Sequence, residues 1–195
     1  MRVIAGSLRR RTLEAPRGLD TRPTSDRLRE TLFNILTPRI EGASFLDLYA
    51  GSGAVGIEAL SRGARRVIFV ERAHAALKVL RANLDRLGLR NGIAVENGSV
   101  IAYLRRERAN TAANFEIVFL DPPYDAAGEY EAVLGSLGGA ASWILSESAV
   151  VIAEHRRKEQ LGERYGRLER TRLLEQGDAA LSFYTVRAAE PESAE

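Results

Sequence analysis

Apolar and polar positions along the 195-residue chain alternate between short apolar runs and longer amphipathic segments. Phe45-Leu46-Asp47-Leu48-Tyr49 reads as a buried strand, residues 54–62 as a helix, and Arg66-Val67-Ile68-Phe69-Val70 as a second strand. Residues 73–87 set Leu77, Leu80, Leu84 and Leu87 three or four positions apart, on one face of a helix. Ile93-Ala94-Val95 is a third strand, 99–108 a short helix, and Phe115–Leu120 a fourth strand. Residues 128–137 are helical, and Ala149-Val150-Val151-Ile152-Ala153 is a fifth strand. Residues 167–174 and 180–187 then read as a closing hairpin around Gly177-Asp178. Repeated βα units predict an α/β fold: a seven-stranded, mostly parallel sheet with helices on both faces, ending in a C-terminal antiparallel hairpin.

Ahead of this repeat the pattern is weaker. Residues 2–5 and 11–13 read as two short strands around a turn at Gly6, and Pro16, Gly18 and Pro23 mark a loop. A helix starts near Thr24 or Ser25, with Leu28, Leu32, Ile35 and Leu36 on one face and Arg27, Glu30 and Asn34 elsewhere. The predicted organisation is therefore a small extension over residues 1–40, a main domain over 41–187, and a frayed acidic tail over 188–195.

Composition removes several classes of function. With 45% hydrophobic residues the chain has the material for a sizeable core. It has no cysteine, so neither a disulfide framework nor a thiolate metal site is expected, which suits a reducing cytoplasm. His74 and His155 are the only histidines, and no metal is implied. There is no run of 18 apolar residues and no signal-peptide core, so no membrane association is expected. The net charge is only +2, but it is unevenly placed. Residues 1–40 hold nine Arg against four acidic residues, while the remainder is net negative. That asymmetry suggests an anionic partner at the N-terminal end, with Arg10, Arg22, Arg27 and Arg29 as candidate contacts. The basic set is 26 Arg and 2 Lys, so placement says more than abundance.

Asp47-Leu48-Tyr49-Ala50-Gly51-Ser52-Gly53-Ala54-Val55-Gly56 ends the first strand and opens a helix. Gly51-x-Gly53-x-x-Gly56 matches a nucleotide-binding turn, where glycines permit a tight bend and close approach of a ligand to a helix N-terminus. Glu71, about 20 residues on, ends the next strand, where a carboxylate accepts from ribose hydroxyls. A nicotinamide cofactor and S-adenosylmethionine both fit this outline. Asp47 favours the second: a carboxylate beside the turn suits an amino group and a sulfonium better than an anionic pyrophosphate.

Asp121-Pro122-Pro123-Tyr124 follows the fourth strand directly. The two prolines fix φ and remove two N–H donors, leaving a stiff corner rich in acceptors. The Asp121 carboxylate and the Pro122 carbonyl are placed to accept from one –NH₂ group, and Tyr124 offers a ring on which an extruded base stacks. An exocyclic amine is a poor nucleophile because its lone pair is delocalised into the base. Two acceptors draw the nitrogen toward tetrahedral geometry and free that lone pair for in-line attack.

With both motifs in hand, the chain resembles the class I methyltransferases. More narrowly it resembles the bacterial RsmD family, which methylates guanine N2 in small-subunit (16S) rRNA. The stretches that carry the resemblance are Arg2–Gly6, Thr21–Asn34 (above all Arg22-Pro23-Thr24-Ser25-Asp26-Arg27), Leu46–Gly53, Gly56–Gly63 and Asp121–Tyr124. The family usually has two glycines where Ala5-Gly6 stand and a glycine at Arg10. Asn97-Gly98-Ser99 stands where many class I enzymes place an Asp beside the adenine amine. The resemblance implies a Rossmann-like methyltransferase fold, with S-adenosylmethionine held by Asp47, Tyr49, Ala50, Gly51, Gly53, Glu71, Arg72 and Ser99. Asp121, Pro122 and Tyr124 would form the catalytic set. The implied partner is 16S rRNA within an assembly intermediate, methylated to N2-methylguanosine near the ribosomal P site by a cytoplasmic monomer. The rivals are a DNA adenine-N6 methyltransferase, a nicotinamide oxidoreductase and a non-catalytic RNA-binding protein. The first usually carries a target-recognition region and the second a substrate domain and a hydride-transfer residue, and none of these is expected among these 195 residues.

Overall fold

A computed structural model describes residues 1–15, 25–106, 114–123 and 128–187. The main frame alternates strands and helices: α1 (Asp26–Ile40), β1 (Ser44–Leu48), α2 (Ala54–Ser61), β2 (Arg66–Glu71), α3 (His74–Arg86), β3 (Ile93–Asn97), α4 (Val100–Arg106) and β4 (Phe115–Leu120). It continues with α5 (Glu129–Gly138), β5 (Leu145–Arg156), β6 (Arg164–Tyr165), β7 (Leu168–Gln176) and β8 (Ala179–Val186). All described strands join one sheet of order β3-β2-β1-β4-β5-β8-β7-β6. Pairing is parallel from β3 through β5 and antiparallel from β5 onward. The sheet has eight strands rather than the expected seven. The added strand is β6, two residues that pair with β7 and carry no periodicity of their own. The expected hairpin forms as β7 and β8.

Strand alternation divides the core into two layers. Phe45, Val67, Phe69, Ile117, Phe119, Val150 and Ile152 pack in one cluster with residues of α1, α2 and α3. Leu46, Leu48, Val70, Val118, Leu120 and Val151 pack in the other with α4 and α5. The first cluster also takes in Val3, Leu13, Leu28, Leu32, Phe33, Leu36 and Ile40, so the N-terminal extension shares the core of the sheet.

The two short N-terminal strands reduce to one isolated bridge between Arg2 and Thr12. Val3 N to Arg11 O (2.9 Å) and Leu13 N to Met1 O (2.9 Å) frame that bridge, and beyond it side chains of α2 and α3 take the backbone groups. The buried Glu58 carboxylate accepts from Ile4 N (2.7 Å) and Ala5 N (3.0 Å), and Ser61 Oγ accepts from Leu8 N (2.9 Å). Asn83, fully buried on α3, accepts from Glu14 N (2.9 Å) and donates to the carbonyls of Glu14 and Ser52. The segment therefore runs beside α2 from the glycine turn to the far end of the helix and back. Helix α1 starts where the sequence places it, with Ser25 Oγ accepting from Leu28 N at 3.1 Å. The acidic tail over 188–195 lies outside the described residues.

Candidate active site

Strand β1 lies between β2 and β4, and chain order reverses across it. Doubly wound sheets bind ligands in the crevice beyond the strand ends at such a switch point. The glycine turn and the Asp-Pro-Pro corner stand on its two sides. Leu48 pairs with Val70 and Leu120, and Leu120 pairs with Ala153. One step further along the strands, Glu71, Tyr49, Asp121 and Glu154 fall at one level. Alternation points the side chains of Glu71, Asp121 and Glu154 toward the layer of α1 and α2, as it does for Asp47 two residues earlier on β1.

The turn is held by its own carboxylates. Asp47 is buried, and its Oδ2 accepts from Gly56 N (2.9 Å), tying β1 to the first turn of α2. Burial pushes the Asp47 carboxyl up to about 7; the Gly56 amide partly offsets this and the neighbouring Glu71 charge adds to it. Glu71 Oε1 accepts from Arg72 N (2.8 Å) and Ala73 N (2.7 Å), and its Oε2 accepts from Gly51 N (2.8 Å). Three of the roughly four acceptor positions of this carboxylate are taken. One further position, on Oε2, is left for a ribose hydroxyl.

The glycines divide by role. A Cβ on Gly51 would find only Tyr49 O within 4 Å, at 3.9 Å, so the space above it is open for a ligand. A Cβ on Gly53 would overlap Leu80 Cδ1 of α3. Gly53 is left-handed (φ 79°) and caps α2, so its lack of a side chain serves the turn and its packing against α3. A Cβ on Gly56 would overlap the Phe69 ring, the close helix–strand approach assigned to the third glycine of such turns. Ala50 is buried, donates its N–H to Val70 O (3.0 Å) and presents no polar side chain to a ligand. An open turn edged by carboxylates suits a cationic nucleoside and opposes a pyrophosphate, so these residues fit S-adenosylmethionine.

Tyr49 adopts φ 63° and donates its hydroxyl to Glu129 Oε2 at the start of α5. Burial, and then this bond, push its ionisation above the ordinary value and keep it a donor. The contact links the glycine turn to the element that follows the Asp-Pro-Pro corner. Arg72 is exposed. Ser99 is exposed too, and its Oγ accepts from Ala102 N (3.2 Å), capping α4; its hydroxyl hydrogen stays available for a ligand.

On the opposite wall Pro122 is buried and Asp121 partly buried. Burial, then the charges of Glu154 and Asp47, raise the Asp121 carboxyl well above the usual carboxylate range. Tyr124 lies outside the described residues.

The four arginines expected to grip an anion separate. Arg29 is fully buried: its guanidinium donates to Arg2 O (2.5 Å) and Asp26 Oδ1 (2.9 Å) and lies 3.9 Å from Glu58 Oε2. It is a structural clamp, not an RNA contact. Hydrophobic spacing did not expose this, because Arg29 follows Leu28 onto the inward face beside Phe33 and Leu36. Arg27 is exposed in the first turn of α1, and the Met1 sulfur, which accepts from both Arg29 Nη1 (3.9 Å) and Ser52 Oγ of the glycine turn (3.7 Å), sets that end of the helix on the glycine-turn side. Arg10 is exposed with φ 70°, on the stretch bonded to Ser61 at the far end of α2. That end is about 12 Å from the glycine turn at the helical rise per residue. Arg22 lies outside the described residues. Sequence reasoning missed Asn83, Glu129 and Glu154. Glu154 alone carried a signal, as an ionisable residue just past an apolar strand.

The family described as Conserved hypothetical protein 95 matches residues 1–185. A Bacillus subtilis protein named "Putative rRNA methyltransferase YlbH" is 38% identical over 187 residues, 96% of this chain and 100% of its own length. The Escherichia coli "Ribosomal RNA small subunit methyltransferase D" is 43% identical over 124 residues, covering 64% of this chain and 60% of that protein. A solved structure titled "Putative methyltransferase yhhF from Escherichia coli" superposes with a TM-score of 0.81 at 32% identity, covering 96% of this chain and 98% of its own. Matched from its first strand to its last, the chain belongs to the Conserved hypothetical protein 95 family, the RsmD methyltransferases.

Proposed function

We propose that the protein transfers a methyl group from S-adenosylmethionine to the exocyclic N2 of a guanine in small-subunit rRNA. The observation that carries this reading is Asp121-Pro122 standing across the switch point from a glycine turn edged by Asp47 and Glu71. The relatives named rRNA methyltransferases support RNA over DNA as substrate. When bound, S-adenosylmethionine supplies an electrophilic methyl on a positive sulfonium. Asp47 fixes the turn to α2, Glu71 shapes it and accepts from one ribose hydroxyl, and Gly51 leaves room for the nucleoside. Asp121 and the Pro122 carbonyl accept from the target amine and aim its lone pair, so the rate gain comes from orientation and preorganised charge. Tyr124 stacks on the base. Arg27, on the face of the turn, contacts phosphate.

The test is direct. Wild-type protein with labelled cofactor should place the label in N2-methylguanosine when given small-subunit rRNA, free or in a partly assembled particle. Label in adenine N6 of DNA, or none on either RNA substrate, would sink the reading. In the same assay series Arg27→Ala should weaken RNA binding and flatten its salt dependence by roughly one ion. An unchanged slope removes Arg27 from the RNA surface.

A further inference from the structure

The geometry points to Glu154 as a positioning residue that makes Asp121 the proton acceptor for the amine being methylated. The inference rests on the methyltransferase reading of the site and adds a second carboxylate to it. Glu154 follows Ala153, the partner of Leu120, within β5, as Asp121 follows Leu120 at the end of β4. The two carboxylates therefore leave neighbouring parallel strands at one level and toward one face. The earlier positions of β5 on that face are Val150 and Ile152, so a 2% exposed acid there interrupts an apolar surface. Its backbone is fixed from two sides: its carbonyl accepts from Tyr130 Oη of α5 (2.7 Å), and its residue pairs with Leu181 of β8. Among the described residues, the charges that act on Asp121 are those of Glu154 on β5 and Asp47 on β1, with Glu71 beyond Asp47 on β2. All are negative.

A buried carboxylate beside a second one holds a proton tightly, because both cannot be charged without mutual repulsion. Methyl transfer needs such an acceptor. The N2 lone pair forms the new C–N bond, and the electrons of the S–CH₃ bond return to sulfur, leaving S-adenosylhomocysteine neutral. The positive charge is then on N2, which sheds one proton. Asp121, already bonded to that amine, receives it, and Glu154 supplies the field that makes Asp121 basic enough near neutral pH.

The carboxyl carbons of Asp121 and Glu154, followed by ¹³C NMR through about pH 4 to 9 in the full-length protein without substrate, test this independently of turnover. Asp121 should titrate above the ordinary carboxylate range, and Glu154→Gln should lower its midpoint by about one unit or more, further than Asp47→Asn does. Glu154→Asp, which keeps the charge, should retain most of the displacement. The acid limb of kcat/KM should move to lower pH in Glu154→Gln while the plateau falls, as expected for a weaker base. An Asp121 midpoint that Glu154→Gln leaves in place overturns the proposal. Should that variant fail to fold, the wild type decides: two separated steps support the pair, and one ordinary carboxylate step overturns it. A displaced midpoint in a protein that methylates no RNA would instead defeat the functional reading alone.

Discussion

On the β1–β2 wall of the crevice the carboxylates are spent on backbone amides, and on the β4–β5 wall they stand beside one another. Glu71 accepts from three N–H groups and Asp47 from a fourth. Asp121 sits instead in the field of Glu154 and Asp47. The same functional group thus does two jobs. Bonded to amides, it sets the shape of a turn that must be right before any ligand arrives. Crowded by its own kind, it becomes a basic acceptor waiting for a donor. The contrast matches the two substrates proposed for the two walls: a cofactor that must be held still, and an amine that must lose a proton.

Asp121→Ala makes the hardest test of that division. It should lower single-turnover methyl transfer between about 10²- and 10⁴-fold while calorimetric affinity for S-adenosylmethionine stays near wild type. Asp121→Asn should retain more activity than Ala, since its amide oxygen still accepts from the amine. A loss of cofactor affinity as large as the loss of rate would mean the two walls are not separable.

Asp47 tests the other wall through pH. Folding raises its carboxyl from an ordinary value near 4 to about 7, so the folded protein binds this proton more tightly than the unfolded chain does. Its contribution to stability is therefore most favourable below about pH 4 and is lost as pH rises to about 7, a change on the order of 4 kcal/mol. Asp47→Asn keeps an acceptor for Gly56 N and removes the titration. Denaturant melts of the variant should show a shallower fall in stability across that window, with the part due to Asp121 remaining. Identical pH slopes would remove Asp47 as a buried titrating group.

Much of this arrangement was legible because its signals are local. Apolar runs marked β1 to β5, and Gly177-Asp178 marked the β7–β8 hairpin. The glycine turn and the Asp-Pro-Pro corner were legible as motifs, since each is one stretch of chain. What escaped depends on partners distant in sequence. Glu58 takes the amides of Ile4 and Ala5 and Ser61 that of Leu8, so the pairing of residues 2–5 with 11–13 stops at one bridge, and β6 exists only because β7 is there to pair with it. Arg29 counts as polar in any periodicity, yet it points inward because Asp26, Glu58 and the Arg2 carbonyl await it. Gly53 lies in a ligand-binding motif, but the atom it must avoid belongs to Leu80, 27 residues on. Glu154 acquires meaning only when β5 lies beside β4.

The smallest expected effect separates two ways in which Glu71 serves the cofactor. Glu71→Ala removes an acceptor from Gly51, Arg72 and Ala73 and from any ribose hydroxyl that takes the remaining position on Oε2. Cofactor affinity should fall by about 1–3 kcal/mol, roughly 5- to 150-fold. That loss alone does not distinguish a loosened turn from a lost ribose contact. A cofactor analogue lacking both ribose hydroxyls does, through a double-mutant cycle measured by calorimetry. If Glu71 bonds the ribose directly, wild type should bind the analogue more weakly than the natural cofactor, and Glu71→Ala should bind the two alike. If Glu71 acts only by holding Gly51 N and the start of α3, the substitution should weaken both ligands equally and the coupling should vanish. Because three acceptor positions are already occupied, the coupling should correspond to one hydroxyl rather than two: removing one of the 2′ and 3′ hydroxyls should account for nearly all of it, and removing the other for almost none. Equal coupling to both hydroxyls would mean that Glu71 releases backbone bonds on binding, and that the turn on this wall is rebuilt around its ligand rather than set in advance.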